Sequence, residues 1–469
     1  MIALKPNALI YFIGIGGTGM SAAALLARSR EFRVAGADHG VYPPTSTLLE
    51  KSAISFFTTY DAAHLNPLPD LVVVGGGERA EHNPEIQRAK ELGIPMAHFP
   101  ELVRFFWRDR RRIVVAGTHG KTTTTSLLAW IMDRGGLRPG FFIGGYAPNF
   151  QSSVRDATGR WAVLEGDEYA SGSMDSTSKF LRYEPDLAII TSVEWDHPDQ
   201  FHSLEEVKLA FRTMIKKLPR SGLLVANADD PNVLDVARDA SAQIQWVSLQ
   251  TRMVDWSAQD LRASLRGMDG ILLRGGRIAM RFHSQLHGEM NIRNLLCAVA
   301  MADYIGVPMR AIADAIFSFQ APARRSECIG EKNGVTVLDD FAHHPTAVRE
   351  TLRATRLRFP NRRIWVVFEP HTYSRTQALL SDYRGVFDAA DEVLIADIAA
   401  AREAGSAFTV TSHALAETIR QSHVSVQDTP TRDDARALLL SRLRPGDVVI
   451  IMAVGSFQKL AQEILDGLP

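Results

Sequence analysis

The sequence predicts an α/β protein of three domains, each carrying a largely parallel sheet. Three observations carry this reading. Short β-branched runs alternate with segments of helical spacing from end to end. Two glycine turns, Gly14 to Gly19 and Gly117 to Gly120, each stand between such a run and a helix. Acidic and polar clusters follow directly on the apolar runs, at the carboxyl edge where parallel sheets gather ligands. At 469 residues the chain is too long for one ordinary core, which sets the expectation of several domains.

In chain order, Ala8 to Ile13 reads as a buried strand, followed by Gly14-Ile-Gly16-Gly17-Thr18-Gly19 and the helix-like MSAAALLARS. This G-x-G-x-x-G pattern lies in its expected setting, with Asp38 following a second short strand, Arg33 to Ala37. It predicts nucleotide binding, Asp38 accepting from a ribose or base. The alternative is a glycine turn that lets helix and sheet pack closely, with Asp38 capping it. Asp70 to Val74 is a further strand ending at Gly75-Gly-Gly77, and Gly93-Ile-Pro95 marks a return to the sheet. The basic Arg108 to Arg112 reads as a linker, so the first domain ends near 110.

The second alternation opens with RIVVAGTHGKTTTT, Arg112 to Thr125. Strand, glycine loop and helix follow one another, so backbone N–H groups and the positive helix end share one concavity. Lys121 adds a mobile charge, and a threonine hydroxyl can hold Mg²⁺. Polyphosphate needs all three. Val115 stands where the usual pattern has its first glycine, leaving the shorter G-T-H-G-K-T. Trp161 to Leu164 ends in Glu165-Gly-Asp167-Glu168, and Leu187 to Val193 ends in Glu194-Trp-Asp196-His197. Both clusters fall on the edge that carries the phosphate loop, making Glu165 and His197 candidates for Mg²⁺ against the plainer reading of acidic surface loops. Residues 241–285 read as a small antiparallel excursion. Asn291 and Asn294, three apart at the start of a helix, could both reach a ligand, unless Asn291 is simply an N-cap.

Pro322-Ala-Arg-Arg325 marks the second boundary. Beyond it four strands are predicted, Val335 to Leu338, Ile364 to Phe368, Glu392 to Ile395 and Val448 to Met452. Two end in polar clusters that offer Asp340, His343, His371 and Arg375 for substrate binding, with Arg375 suited to a carboxylate. The adjacent His343 and His344 have no third nitrogen or sulfur ligand at a zinc spacing.

Composition narrows the classes. Lys+Arg 52 against Asp+Glu 53 gives net charge -1, which leaves no polybasic footprint for nucleic acid or an anionic membrane. Two cysteines cannot build a disulfide framework, and the N-terminal apolar run meets glycines too soon for a leader or a membrane span. A cytoplasmic protein is expected.

Together GIGGTGMS, AGTHGKTTT, EGDEY, EWDHPD, GEMNIRN, ARRSE, DDFAHHPT and GDVVIIMAVGSF occur in the order seen in the Mur ligase family, the ATP-dependent amide-forming enzymes of peptidoglycan assembly, which the whole chain resembles. The resemblance implies a Rossmann-like UDP-binding domain at 1–110, a central P-loop ATPase-like domain at 111–322, and a Rossmann-like C-terminal domain at 323–469 for the incoming amino acid or peptide. It makes Gly14, Gly16, Gly17, Thr18, Gly19 and Asp38 a UDP-sugar site. ATP would lie on Gly117, Thr118, His119, Gly120, Lys121, Thr122 and Thr123, with Asn291, Asn294, Arg325 and Asp340. Thr122 and Glu165 would hold one Mg²⁺ and His197 a second; Lys121, Glu165, His197 and His343 would be catalytic, the two histidines as candidates for the base that takes the amine proton. His343, His371 and Arg375 would meet the amine substrate.

Two departures from the family pattern stand out: Met290 replaces the usual histidine before the first asparagine, and no clear equivalent of the carbamylated lysine of several sister enzymes is present. Val41 to Lys51, the GFFIGGYAPN run, the DEYASGSMDSTSKFLRYEP insertion and Phe341 resemble members that join the tripeptide L-alanyl-γ-D-glutamyl-meso-diaminopimelate to UDP-N-acetylmuramate. Glu369-Pro-His371-Thr-Tyr-Ser-Arg375-Thr instead resembles the substrate loop of members that use L-alanine, which have an arginine where Thr372 stands. A nicotinamide-dependent dehydrogenase is opposed by the phosphate loop. A non-catalytic ATP-binding protein is opposed by the intact Lys121, Glu165 and His197.

Overall fold

The computed structural model describes residues 2–41, 45–76, 82–172, 175–401, 403, 405–422 and 425–469. Part of Val41 to Lys51 (42–44), Gly77, and Ser173 and Met174 of the insertion lie outside the described residues. The chain forms two compact units, one of Met1–Val193, Glu205–Val247 and Cys297–Ala315, the other of Glu194–Leu204, Ser248–Leu296 and Ile316–Pro469.

In the first unit, β1 (Leu9–Ile13), β2 (Arg33–Ala37), β3 (Ser55–Phe57), β4 (Leu71–Val74) and β5 (Met96–His98) form a parallel sheet in the order β3-β2-β1-β4-β5. β1 and β4 are buried along their whole length, as expected of strands covered on both faces. The order of strand addition reverses between β1 and β4, which run parallel, so the glycine turn after β1 opens at the switch point of the sheet.

The same unit holds β6 (Arg111–Ala116), β7 (Gly140–Ala147), β8 (Ser152–Arg155), β9 (Trp161–Gly166), the hairpin β10 (Ala170–Gly172) and β11 (Asp175–Ser178), then β12 (Leu187–Ile190), β13 (Leu223–Asn227) and β14 (Gln243–Ser248). β6 lies between β9 and β12, both parallel to it, with Val115 level with Glu165 and Ile189. This register sets the phosphate loop beside the two acid-bearing strand ends.

In the second unit β15 (Trp256–Ser264), β16 (Gly267–Arg274) and β17 (Arg277–Ser284) form an antiparallel meander. The expected excursion is therefore present, but its first part, β14, is a parallel strand. The C-terminal sheet runs β18-β19-β23-β20-β21-β22, from β18 (Glu327–Lys332), β19 (Val335–Asp340), β20 (Ile364–Phe368), β21 (Glu392–Ile395), β22 (Ser425–Asp428) and β23 (Val448–Met452). β18 and β22 were not among the four predicted strands. Both are edge strands without a single buried residue, so neither carries the apolar run that marks a buried strand. Alternate residues feed two cores, Leu338, Val366 and Ile450 on one face, Val337, Val367 and Ile451 on the other. Among the described residues no helix is long and apolar enough to cross a membrane.

Candidate active site

At the N-terminal turn, Gly14 takes φ 84°, a left-handed conformation open to glycine. Asp38 accepts from the Gly16 N–H at 2.8 Å and from the Tyr60 hydroxyl at 3.2 Å. A Cβ on Gly16 would come within 2.8 Å of Asp38 Oδ2, and one on Gly19 within 2.9 Å of the Phe99 ring. Of the two roles weighed for Asp38, the turn-closing one is seen here: its carboxylate holds the turn, beside Gly17 and Thr18 at the start of the helix Thr18–Ser29.

The phosphate loop leaves β6 through Gly117 at φ 138° and enters the helix Lys121–Arg134 through Gly120 at φ 83°. Thr191 Oγ1 donates to His119 O at 2.5 Å, and Thr118 N–H donates to Ser192 O, so the next strand end pins the loop. The Lys121 ammonium donates to Gly117 O at 2.7 Å and to Glu168 Oε2 at 2.8 Å. Burial works against this charge, but Glu168, Asp167 and Glu165 outweigh it and hold the lysine above its ordinary pKa.

Glu165 accepts from Thr122 Oγ1 at 2.7 Å and from the Gly144 N–H at 2.6 Å. A Cβ on residue 144 would come within 2.8 Å of Glu165 Oε1 and displace the carboxylate from this position. Burial and the neighbouring Asp167 raise the Glu165 pKa. Asp167 is itself lowered despite burial, because Lys179 Nζ lies 2.9 Å away. Glu165 is held by two neutral donors, and this hard oxygen set suits Mg²⁺. Thr123 is buried in the first turn of the helix.

The second unit assembles a different cluster. Arg375 Nε donates to Asp196 Oδ1 at 2.6 Å, with side chains only 5% and 8% exposed. Burial opposes the Asp196 charge, but Arg375 and then His197, His344 and His343 hold its pKa well below the ordinary range. Arg375 Nη1 also donates to His371 O at 2.7 Å and approaches His371 Nδ1 at 3.2 Å. That nitrogen is therefore an acceptor, and burial with Arg375 lowers the His371 pKa to about 4. His343 lies 2.9 Å through Nδ1 from Phe341 O, and burial and Arg375 push it well below its usual value. His197 sits at φ 56°, its N–H donating to Asp196.

Asp340 accepts from Ser326 N at 2.6 Å and from Ala342 N at 2.7 Å, and the Arg325 guanidinium lies 5.1 Å from the Phe341 ring centre. Asn294 donates to Asn291 Oδ1 at 3.2 Å, and Asn291 to His287 O at 2.9 Å. Their helix begins at Glu289, so Asn291 lies in its first turn and is not the N-cap.

The structure thus brings together Lys121, Thr122 and Glu165 in the first unit, and His197, His343, His371 and Arg375 in the second. Sequence reasoning missed four partners. Glu168 and Asp196 were visible as acids past strand ends, but nothing marked them as the counter-ions of Lys121 and Arg375. Lys179 and Glu403, which accepts from Thr372 Oγ1 at 2.8 Å and Ser374 N at 2.9 Å, carry no local signal.

A phosphate loop flanked by buried carboxylates at the carboxyl edge of a parallel sheet defines a nucleotide-dependent group-transfer enzyme. Three family models match in succession: the Mur ligase family catalytic domain over residues 9–111, the Mur ligase middle domain over 115–302, and the Mur ligase glutamate ligase domain over 324–455. The UDP-N-acetylmuramate–L-alanine ligase of Roseiflexus sp. (strain RS-1) is 37% identical, with 98% of each chain covered. The UDP-N-acetylmuramate–L-alanyl-gamma-D-glutamyl-meso-2,6-diaminoheptandioate ligase of Escherichia coli (strain K12) is 36% identical at the same coverage. Among solved structures, a murein peptide ligase from Psychrobacter arcticus superposes with TM-score 0.75 at 30% identity, covering 98% of each chain. A Thermotoga maritima UDP-N-acetylmuramate–alanine ligase, 22% identical over 98% of each chain, shares the fold with TM-score 0.82. The chain belongs to the Mur ligase family, and as such is an ATP-dependent ligase that forms amide bonds in peptidoglycan synthesis.

Proposed function

We propose that the chain joins the lactyl carboxylate of UDP-N-acetylmuramate to the α-amine of an L-alanyl group, with L-alanine itself as the amine. The observation that carries the chemistry is the phosphate loop, with Lys121 and Glu165 buried against it. The carboxylate attacks the γ-phosphate of ATP, giving an acyl phosphate and ADP; the amine then attacks the acyl carbon and phosphate leaves. Attack of one anion on another needs charge neutralisation and in-line positioning above all. Gly117 to Thr123 would cradle the phosphates, with Asn291, Asn294, Arg325 and Asp340 for the rest of ATP. Thr122 and Glu165 would hold one Mg²⁺ and His197 a second, and the metal when bound neutralises phosphate charge. Gly14 to Gly19 and Asp38 would take the UDP-sugar. All proposed partners are small molecules of a reducing cytoplasm, with neither nucleic acid nor membrane insertion among them.

L-alanine is favoured by the Roseiflexus relative and by the Glu369 to Thr376 loop. The second reading is the murein peptide ligase reaction, in which the L-alanyl nitrogen belongs to L-alanyl-γ-D-glutamyl-meso-diaminopimelate. It is supported by the Escherichia coli and Psychrobacter relatives and by one geometric observation: Arg375, the guanidinium suited to a free carboxylate, is already engaged by Asp196. The nucleophilic nitrogen is the same in both, and only the state of the alanyl carboxyl differs. Phosphate release from Mg-ATP and UDP-N-acetylmuramate, with L-alanine or the tripeptide added, decides between them. Turnover with L-alanine alone is expected; turnover with the tripeptide alone installs the second reading.

A further inference from the structure

Three acids stand at the end of β9, and two of them are paired. Glu165 accepts from Thr122 and Gly144; Asp167 is paired with Lys179. Glu168 is different. Its side chain is 2% exposed, its Oε2 accepts from Lys121, and its Oε1 has no hydrogen-bond partner among the described residues. A buried carboxylate oxygen without a donor costs about 1–3 kcal/mol or more, so its retention calls for a functional reason.

The cation at Glu168 is also committed elsewhere. Lys121 now folds onto its own loop, donating to Gly117 O and Glu168. A lysine in this position of a phosphate loop serves the terminal phosphates of the nucleotide. Once it turns to them, Glu168 is left as a buried carboxylate with neither oxygen satisfied, beside the lysine that serves the phosphates. The chemistry that satisfies it is a small cation with several donors, and an ammonium group has three.

Building on the ligase reading above, we propose that Glu168 receives the incoming ammonium group and takes its first proton. In the step, R–NH₃⁺ gives one proton to the Glu168 carboxylate, and the freed lone pair attacks the acyl carbon. The C–O bond to phosphate then breaks, its electron pair leaving on phosphate, which takes the second N–H proton. The products are the amide, hydrogen phosphate and a protonated Glu168 that returns its proton to solvent.

The test uses hydroxylamine, which is unprotonated at neutral pH and attacks an acyl phosphate without a base. The full-length protein and its Glu168→Gln variant are given Mg-ATP and UDP-N-acetylmuramate, and then either hydroxylamine or the amine that the unmutated protein uses. Hydroxamate formation by the variant is expected within about threefold of the unmutated protein, while amide formation falls by about 100-fold or more, the range of a lost general base. Hydroxamate formation also certifies that the variant is folded. Glu168→Asp, which keeps the charge, is expected to recover part of the amide rate. Equal loss of both products would overturn the proposal and make Glu168 a holder of Lys121 alone; so would unimpaired amide formation. Failure of the unmutated protein to form any hydroxamate would instead remove the ligase reading, and the proposal with it.

Discussion

The phosphate-loop site of the first unit and the Asp196–Arg375 cluster of the second solve the same problem, holding charge away from water, by opposite means. The loop draws on one short run of residues: Gly117 to Thr122 are consecutive, and the carboxylates they meet lie at the end of the adjoining strand or just past it. The cluster joins residues 179 positions apart and closes on one ion pair, with His343 and His371 kept neutral beside it. The first therefore depends on backbone conformation. The second depends on two side chains finding each other.

The widest test of this contrast is Lys121→Ala, which removes the mobile charge and leaves the backbone cradle. Phosphate release is expected to fall by about 10³-fold, as when a preorganised charge stabiliser is lost, and the thermal midpoint is expected to fall as well, because the buried Glu168 loses its counter-ion. Phosphate release that survived the change would show that the backbone cradle alone carries the phosphate site.

Asp196→Ala should show the reverse emphasis. Leaving Arg375 buried and unpaired is expected to cost about 3–5 kcal/mol, read from denaturant midpoints. The double variant with Arg375→Met should cost less than the sum of the single changes.

Acid sharpens the same point. The unfolded chain binds protons at His371 from its ordinary value near 6.5, while the folded state resists protonation down to about 4. Stability from His371 is thus full above 6.5 and is lost as pH falls toward 4, with His343 acting in the same direction. Asp196, lowered on folding, adds a further loss below the ordinary carboxylate range. Denaturant midpoints from pH 7 to 4 should fall, and His371→Gln should flatten that slope. A slope unchanged by the substitution would mean that His371 charges in place.

Thr122→Val tests the first unit's finer geometry. Losing the hydroxyl that orients Glu165 should raise the Mg²⁺ needed for half-maximal activity by about tenfold or more, read from a Mg²⁺ titration of phosphate release. The smallest effect belongs to Arg353→Ala. Its pairing with Glu350 at 3.1 Å is half in solvent, and its loss should change stability by no more than about 0.5 kcal/mol. Set against Asp196→Ala, it isolates burial as the variable.

Sequence by itself determined the α/β class, the largely parallel sheets, both glycine turns and the strand-end position of Glu165, Glu168, Asp196 and Asp340. It could do so because apolar runs, glycines and the acids that follow them are local patterns that report local backbone states. The edge strands β18 and β22 escaped it, being largely polar and without a buried residue. Only the tertiary structure decided which charges meet: Lys121 with Glu168, Asp167 with Lys179, Arg375 with Asp196, and Glu403 with the loop at Thr372 and Ser374. Those pairings turn on distances of a few ångströms between strand ends that the chain reaches separately, and no spacing along the sequence encodes them.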